Sequence, residues 1–269
     1  MEILGYIASL LTGILLGSLG GGGSILTLPV LVYFFSISPV TATVYSLFIV
    51  GSSSLIGSIR FRRMGMIDYR AVLLLVIPSA LMVLLCRQYV LPLLPGQIYI
   101  PGMYYISTNR LFMIVFAVLM LVSSLSMMRN KAEPVAHHKK DHGRTTAMLL
   151  LPAGIFIGSL TGILGAGGGF VIVPILLSCL KFTMKKAIGT SLTIIAINAL
   201  AGFVLSINKI VIDWHLFSSL TLFATAGIWI GNKIASASTD AGLTKGFVVF
   251  ILLVAISILG KELLFITPI

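Results

Sequence analysis

The sequence predicts an all-α polytopic membrane protein: two inverted repeats of about five helical segments each, with short half-helices after Gly-rich breaks. Three observations carry that prediction. First, 58% of the 269 residues are apolar and 9% charged, and the mean hydropathy is +1.12. No soluble domain of this size hides so much apolar surface. Second, one Gly-rich string occurs twice at a constant spacing. Third, the basic residues gather in loops, as membrane orientation requires. A β-barrel would need short segments of alternating polarity, which are not seen.

Ten helical segments lie at roughly 3–19, 25–37, 39–60, 70–92 and 107–128, then 147–164, 170–181, 184–207, 214–236 and 243–265. The first carries Glu2 in place of a basic n-region and shows no small-x-small cleavage site before the glycines. It is expected to be a retained helix. The second and seventh are short. At about 1.5 Å per residue, segments of about a dozen residues do not cross a core of about 30 Å. Each is expected to be a half-helix that starts just after a glycine string. After the fourth comes an extra connection, Leu91 to Ser107, rich in Pro, Gly and Tyr.

The chain divides into a first repeat (1–128), a basic linker (129–146) and a second repeat (147–269). The linker is the one strongly hydrophilic stretch and is expected to have no fold of its own. Its His137, His138 and His142 read as solvated side chains, so no metal and no cofactor is expected. Cys86 and Cys179 are expected to be buried free thiols.

A shift of 145 residues superimposes the halves without a gap. Between 8–69 and 153–214 it gives 18 identities in 62 positions. They include Gly13/Gly158, Gly17/Gly162, Gly20/Gly165, Gly22/Gly167, Gly23/Gly168, Pro29/Pro174, Ser46/Ser191, Gly57/Gly202 and Asp68/Asp213. Shared apolar bias cannot place so many glycines, a proline, a serine and an aspartate in register.

Charge fixes the expected topology. Five passes, or three passes plus a re-entrant hairpin, give each half an odd parity and therefore invert the halves. With the linker in the cytoplasm, 14 basic residues fall inside and 4 outside. Joining each pre-glycine and post-glycine helix into one crossing gives only 11 against 7. The expected location is the cell membrane, with both termini outside.

Glycine runs let backbones approach and free amide N–H groups from helical bonding. Short helices that begin there present unpaired donors and a positive dipole end, which suit a small anion. In inverted halves the two strings would approach the midplane from opposite faces. The expected substrate site is Gly22, Gly23, Ser46, Ser53, Gly167, Gly168, Thr190, Ser191 and Asn198. Gly13, Gly17, Gly158 and Gly162 have the small-xxx-small spacing of packed membrane helices. Asp68, Asp213 and Asp240 read as helix caps, and Asp68 and Asp213 are also candidates for gating or coupling. Arg87, toward the end of the fourth segment, is expected to snorkel.

The net charge of +11 reflects membrane orientation, not nucleic-acid binding. No paired intramembrane carboxylates, Cys/His metal spacing, Walker-type loop or nucleophile triad appears, so no enzyme is expected.

The doubled Gly-rich string followed by Pro29 and Pro174 resembles the TauE/SafE family of membrane transporters. So do the Ala-x-x-x-Ser-Leu pattern at Ala42–Leu47 and Ala187–Leu192, and the segments Gly65–Tyr69 and Ile210–Trp214. The second copy departs by carrying Ile210 where the first has Gly65. The resemblance implies a secondary transporter, an exporter of sulfite or an organosulfonate. Its partners would be the anion, the lipid bilayer and, as candidate coupling ion, the proton. A passive anion channel and a non-transporting membrane scaffold are the alternatives.

Overall fold

The computed structural model describes residues 2–90, 93, 97–98, 106–129, 144–165, 167–207, 210 and 213–264. Among these, ten α-helices dominate. The first five are α1 (Glu2–Leu19), α2 (Gly22–Phe34), α3 (Pro39–Arg63), α4 (Tyr69–Leu85) and α5 (Thr108–Arg129). The second five are α6 (Arg144–Leu164), α7 (Gly169–Leu180), α8 (Met184–Ser206), α9 (Trp214–Ala237) and α10 (Asp240–Leu264). A π-helical turn, Cys86–Val90, extends α4. In the connection that follows, Gln97–Ile98 pairs antiparallel with Ile106–Ser107. The chain is an all-α polytopic membrane protein. The stretches Thr41–Arg63, Tyr69–Val90, Met184–Ser206 and Asp240–Lys261 are each long and apolar enough to cross a bilayer. The interior of the linker, with His137, His138 and His142, lies outside the described residues.

The short helices are α2 and α7, at 13 and 12 residues. Helix α2 turns back on α1. A side chain at Gly23 would overlap the backbone of Thr12 and Leu16, and Gly5 lies against Phe34 and Phe35. The Tyr6 and Phe35 rings meet at 5.6 Å. Helices α1 and α2 are therefore a hairpin whose two ends lie together and whose tip is Gly20–Gly21. In the second half Gly168 lies against Ile157 and Thr161 of α6, which repeats the Gly23 contact 145 positions on.

Other contacts recur with the same shift. Gly13 lies against Ala224 and Gly17 against Ile228; Gly158 lies against Ser79 and Gly162 against Val83. Residue numbers rise together in both sets, so α1 runs parallel to α9 and α6 parallel to α4. Helices α3 and α8 cross antiparallel, with Gly57 against Leu192 and Leu47 against Gly202. Packing of this kind suits a bilayer. Lipid tails are as apolar as leucine, so helices associate through close van der Waals fit at small residues.

Caps set the helix starts. The Ala71 N–H donates to Asp68 Oδ1 at 3.1 Å, and the N–H groups of His215 and Leu216 donate to Asp213 Oδ1 at 3.0 and 3.2 Å. Asp240 differs from its expected role. Its Oδ1 accepts the Lys185 N–H at 2.9 Å, so it serves the first turn of α8 from the first residue of α10. Cys86 is buried as expected, but Cys179 is exposed, because α7 turns that side outward.

Close packing predicts a contrast between two glycines. Gly13→Ala pushes a methyl group into the Ala224 carbonyl and should cost about 1–3 kcal/mol or more. Gly246 has no atom within 4 Å of a built Cβ, so Gly246→Ala inside α10 should leave stability unchanged or raise it by up to about 1 kcal/mol. Thermal unfolding in detergent checks both; equal effects would refute the packing.

Candidate functional site

Each hairpin tip is forced by backbone geometry. Gly20 and Gly165, matched across the halves, both have left-handed φ, +72° and +67°. Any other residue there would be strained. Beyond these the copies differ. In the first, α2 starts at Gly22 with Gly21 as its cap, so Gly22 and Gly23 form the first helical turn instead of preceding the helix. In the second, Gly167 and Gly168 keep φ at +67° and α7 waits until Gly169. The extra glycine at 169, where the first copy has Ser24, lets the loop run two residues longer.

The tips meet. A Cβ built on Gly169 would lie 2.5 Å from Gly21 Cα, so two backbones touch with no side chain between them. The N-termini of α2 and α7 thus come to one place. Neither Gly21 nor Gly168 is joined by a side-chain cap. Helices α3 and α8 flank the tips symmetrically: Gly20 lies against Ile188, and Gly165 against Thr43. Gly167 lies between Val50 and Ile195.

The matched serines then behave differently. Ser191 Oγ donates to the Gly20 carbonyl at 2.6 Å and to the Ile188 carbonyl at 2.9 Å. It ties the first tip to α8. Ser46 lies on the α3 face that carries Thr43 and Val50, the face turned to the second tip. It is fully buried, and its hydroxyl has no hydrogen-bond partner. Thr161 is also fully buried without a hydroxyl partner, and its Oγ1 would lie 2.5 Å from a Cβ on Gly168. Unsatisfied buried hydroxyls cost about 1–3 kcal/mol each, so the two beside the left-handed glycine loop could receive a polar guest.

The other candidates spread out. Asn198 Nδ2 donates to Ser79 Oγ at 2.7 Å, which commits it to α4. Ser53, its match in the first half, is fully buried without a partner. Thr190 sits at one end of the α3–α8 pair, where its Oγ1 accepts the Asp68 N–H at 3.2 Å. Lys186 Nζ binds Asp68 Oδ2 there at 2.8 Å. At the opposite end the Asp213 N–H donates to the Tyr45 hydroxyl at 2.7 Å, and Tyr45 occupies the position matching Thr190. The two aspartates therefore sit at the two ends and link the halves, one end with a lysine pair and the other with a phenol. A cavity of about 460 Å³ opens between α1, α9 and α10 beside Leu19. It touches none of the predicted site residues.

Sequence reasoning missed two side chains. Thr161 matches Leu16, so a search for residues shared by both copies passes over it. Arg87 was expected to snorkel, yet it is 2% exposed and donates from Nη1 to Ser206 Oγ at 3.1 Å. The π turn and the close fit of α4 on α6 hold it inside the bundle, away from the interface.

The family model described as sulfite exporter TauE/SafE matches residues 5–258. Similar proteins include the probable membrane transporter protein YunE of Bacillus subtilis, 23% identical over 97% of this chain and 98% of that one. A probable membrane transporter protein of Xylella fastidiosa is 27% identical over 94% and 92% of the two chains. Another, from Haemophilus influenzae, is 26% identical over 96% and 98%. No solved structure matches. With its doubled glycine tips, its all-helical membrane fold and a family match over nearly its whole length, this chain belongs to the sulfite exporter TauE/SafE family of membrane transporters.

Proposed function

We propose that this protein is a secondary carrier that exports a small oxyanion, sulfite or an organosulfonate, across the cell membrane. The observation that carries this reading is the meeting of two hairpin tips, Gly21 against Gly169, beside the unpartnered hydroxyls of Ser46 and Thr161. Helix N-termini supply backbone N–H donors and positive potential without a full charge. The hydroxyls add donors for the remaining oxygens. A pyramidal or tetrahedral oxyanion fits such a mixed donor set.

The packing supports a reading of alternating access. Counterpart helices α3 and α8 run antiparallel, and this supports halves inverted about an axis in the membrane plane. The two ends of the α3–α8 pair then face opposite sides of the membrane. Asp68 with Lys186 and Thr190 would close the cytoplasmic end, and Asp213 with Tyr45 the outer end. Protons are the candidate coupling ion. The linker between α5 and α6 lies in the cytoplasm in this reading, and both termini lie outside.

Transport and stability should separate at the tips. Ser46→Ala and Thr161→Val each remove an unsatisfied hydroxyl, so unliganded stability should hold or rise. Saturable sulfite flux in proteoliposomes should fall roughly tenfold or more for each, the value of one hydrogen bond to a charged guest. Wild-type flux in both variants would refute the site. Non-saturating flux driven by the anion gradient alone would make the protein a channel.

Orientation has its own check. With Cys86 and Cys179 replaced, a cysteine at Ala136 should react with a membrane-impermeant thiol reagent only after the cytoplasmic side is opened. A cysteine at Glu2 should react in intact cells. The reverse pattern would overturn the topology.

A further inference from the structure

We propose that Arg87 is a cationic ligand of the transported anion, placed at the level of the second hairpin tip. This rests on the reading of the tips as an anion site and names a charged side chain within it. Arg87 is the one charged residue among the buried side chains described. It lies within the membrane-crossing stretch Tyr69–Val90. A cation taken out of water there costs several kcal/mol before compensation, and ionisable groups inside a membrane protein mark ion and substrate paths. The π-helical turn that carries it, Cys86–Val90, is a second and independent sign, since such turns concentrate at functional sites.

The packing gives its level in the bundle. Gly162 of α6 lies against Val83 and Cys86, and α6 runs parallel to α4. Three residues beyond Gly162 comes Gly165, the start of the second break, and one residue beyond Cys86 comes Arg87. Helix α8 agrees. Leu47 lies against Gly202, and one further turn along these antiparallel helices brings Thr43 level with Ser206. Thr43 lies against Gly165, and Ser206 accepts the hydrogen bond from Arg87 at 3.1 Å. Thr43, Gly165, Ser206 and Arg87 thus share one layer.

The other half lacks this feature. The position matching Arg87 is Asn232, 3% exposed, whose Nδ2 donates to the Gly57 carbonyl at 3.1 Å. Asn232 is neutral, and Phe61 stands where the second half has Ser206. The cation therefore breaks the symmetry of the site and draws the anion toward the second tip, where Ser46 and Thr161 also wait. A planar guanidinium with several donors suits an oxyanion better than a point charge does.

Calorimetric binding of sulfite, and separately of methanesulfonate, to the purified full chain in detergent tests this, alongside its melting temperature without anion. Arg87→Gln should weaken binding by about 10- to 100-fold, the worth of a charge-assisted hydrogen bond. Asn232→Ala should leave affinity within about threefold, as a residue outside the anion's shell would. Affinity unchanged in Arg87→Gln, with or without a lower melting temperature, would make Arg87 a structural tie between α4 and α8 and overturn the proposal. If Arg87→Gln does not purify folded, Arg87→Met, which keeps an apolar stem without the charge, decides. Weaker binding at an unchanged anion-free melting temperature supports the role, and wild-type affinity overturns it. Absence of sulfite and methanesulfonate binding and flux in the wild-type protein would instead sink the anion site itself, and Arg87's role with it.

Discussion

The contact between the Gly21 and Gly169 backbones is the constraint on which the rest of this molecule depends. Two helix starts cannot share one small space if side chains stand between them. Glycine on both sides lets the chains touch, and the left-handed turns at Gly20 and Gly165 aim the hairpins at each other. Bulk on either tip would part them and separate their N–H donors. An anion held by both ends needs both within hydrogen-bond reach at once.

Holding the tips together is the task of the surrounding helices. Inside a bilayer no hydrophobic force drives helices onto each other, so fit decides. Gly13 and Gly17 let α1 lie on α9, and Gly158 and Gly162 let α6 lie on α4. The crossing of α3 and α8 clamps the two tips between them. Hydrogen bonds from one half to the other, Asp68 to Thr190 and Asp213 to Tyr45, close the ends of that clamp. Each end links the halves through a few polar contacts, which can break without unpacking a helix. The tips, in contrast, are backbone on backbone and leave little room to slide.

Much of this was legible in the chain because its signals are backbone signals. Glycine at 20 and 165, capping aspartates at 68 and 213, and the shortness of α2 and α7 each act through local geometry, which sequence records directly. The small-xxx-small glycines likewise named the packing faces. What escaped depends on which side chain faces which. Nothing in the sequence tells Ser46 from Ser191, yet one is bonded to the opposite tip and the other has no partner. Asn198 matches Ser53 in register and belongs to the expected site, but Ser79, on a helix far away in sequence, takes its hydrogen bond. Arg87 departs from the expectation for a similar reason: a basic residue near a helix end snorkels when that end is free, and here a π turn and α6 keep it inside. The start of α2 shifted by three residues because glycine, given a packed neighbour in α1, accepts helical geometry as readily as a loop.

The central claim is that the paired tips hold the anion, and selenite tests it most directly. It has the pyramidal geometry of sulfite, and its selenium scatters anomalously. A crystal structure of the protein soaked in selenite should show an anomalous peak within hydrogen-bonding distance of the tips, near Gly167–Gly169 and the hydroxyls of Ser46 and Thr161. A reproducible peak elsewhere, such as the cavity between α1, α9 and α10, with the tips empty would contradict the account.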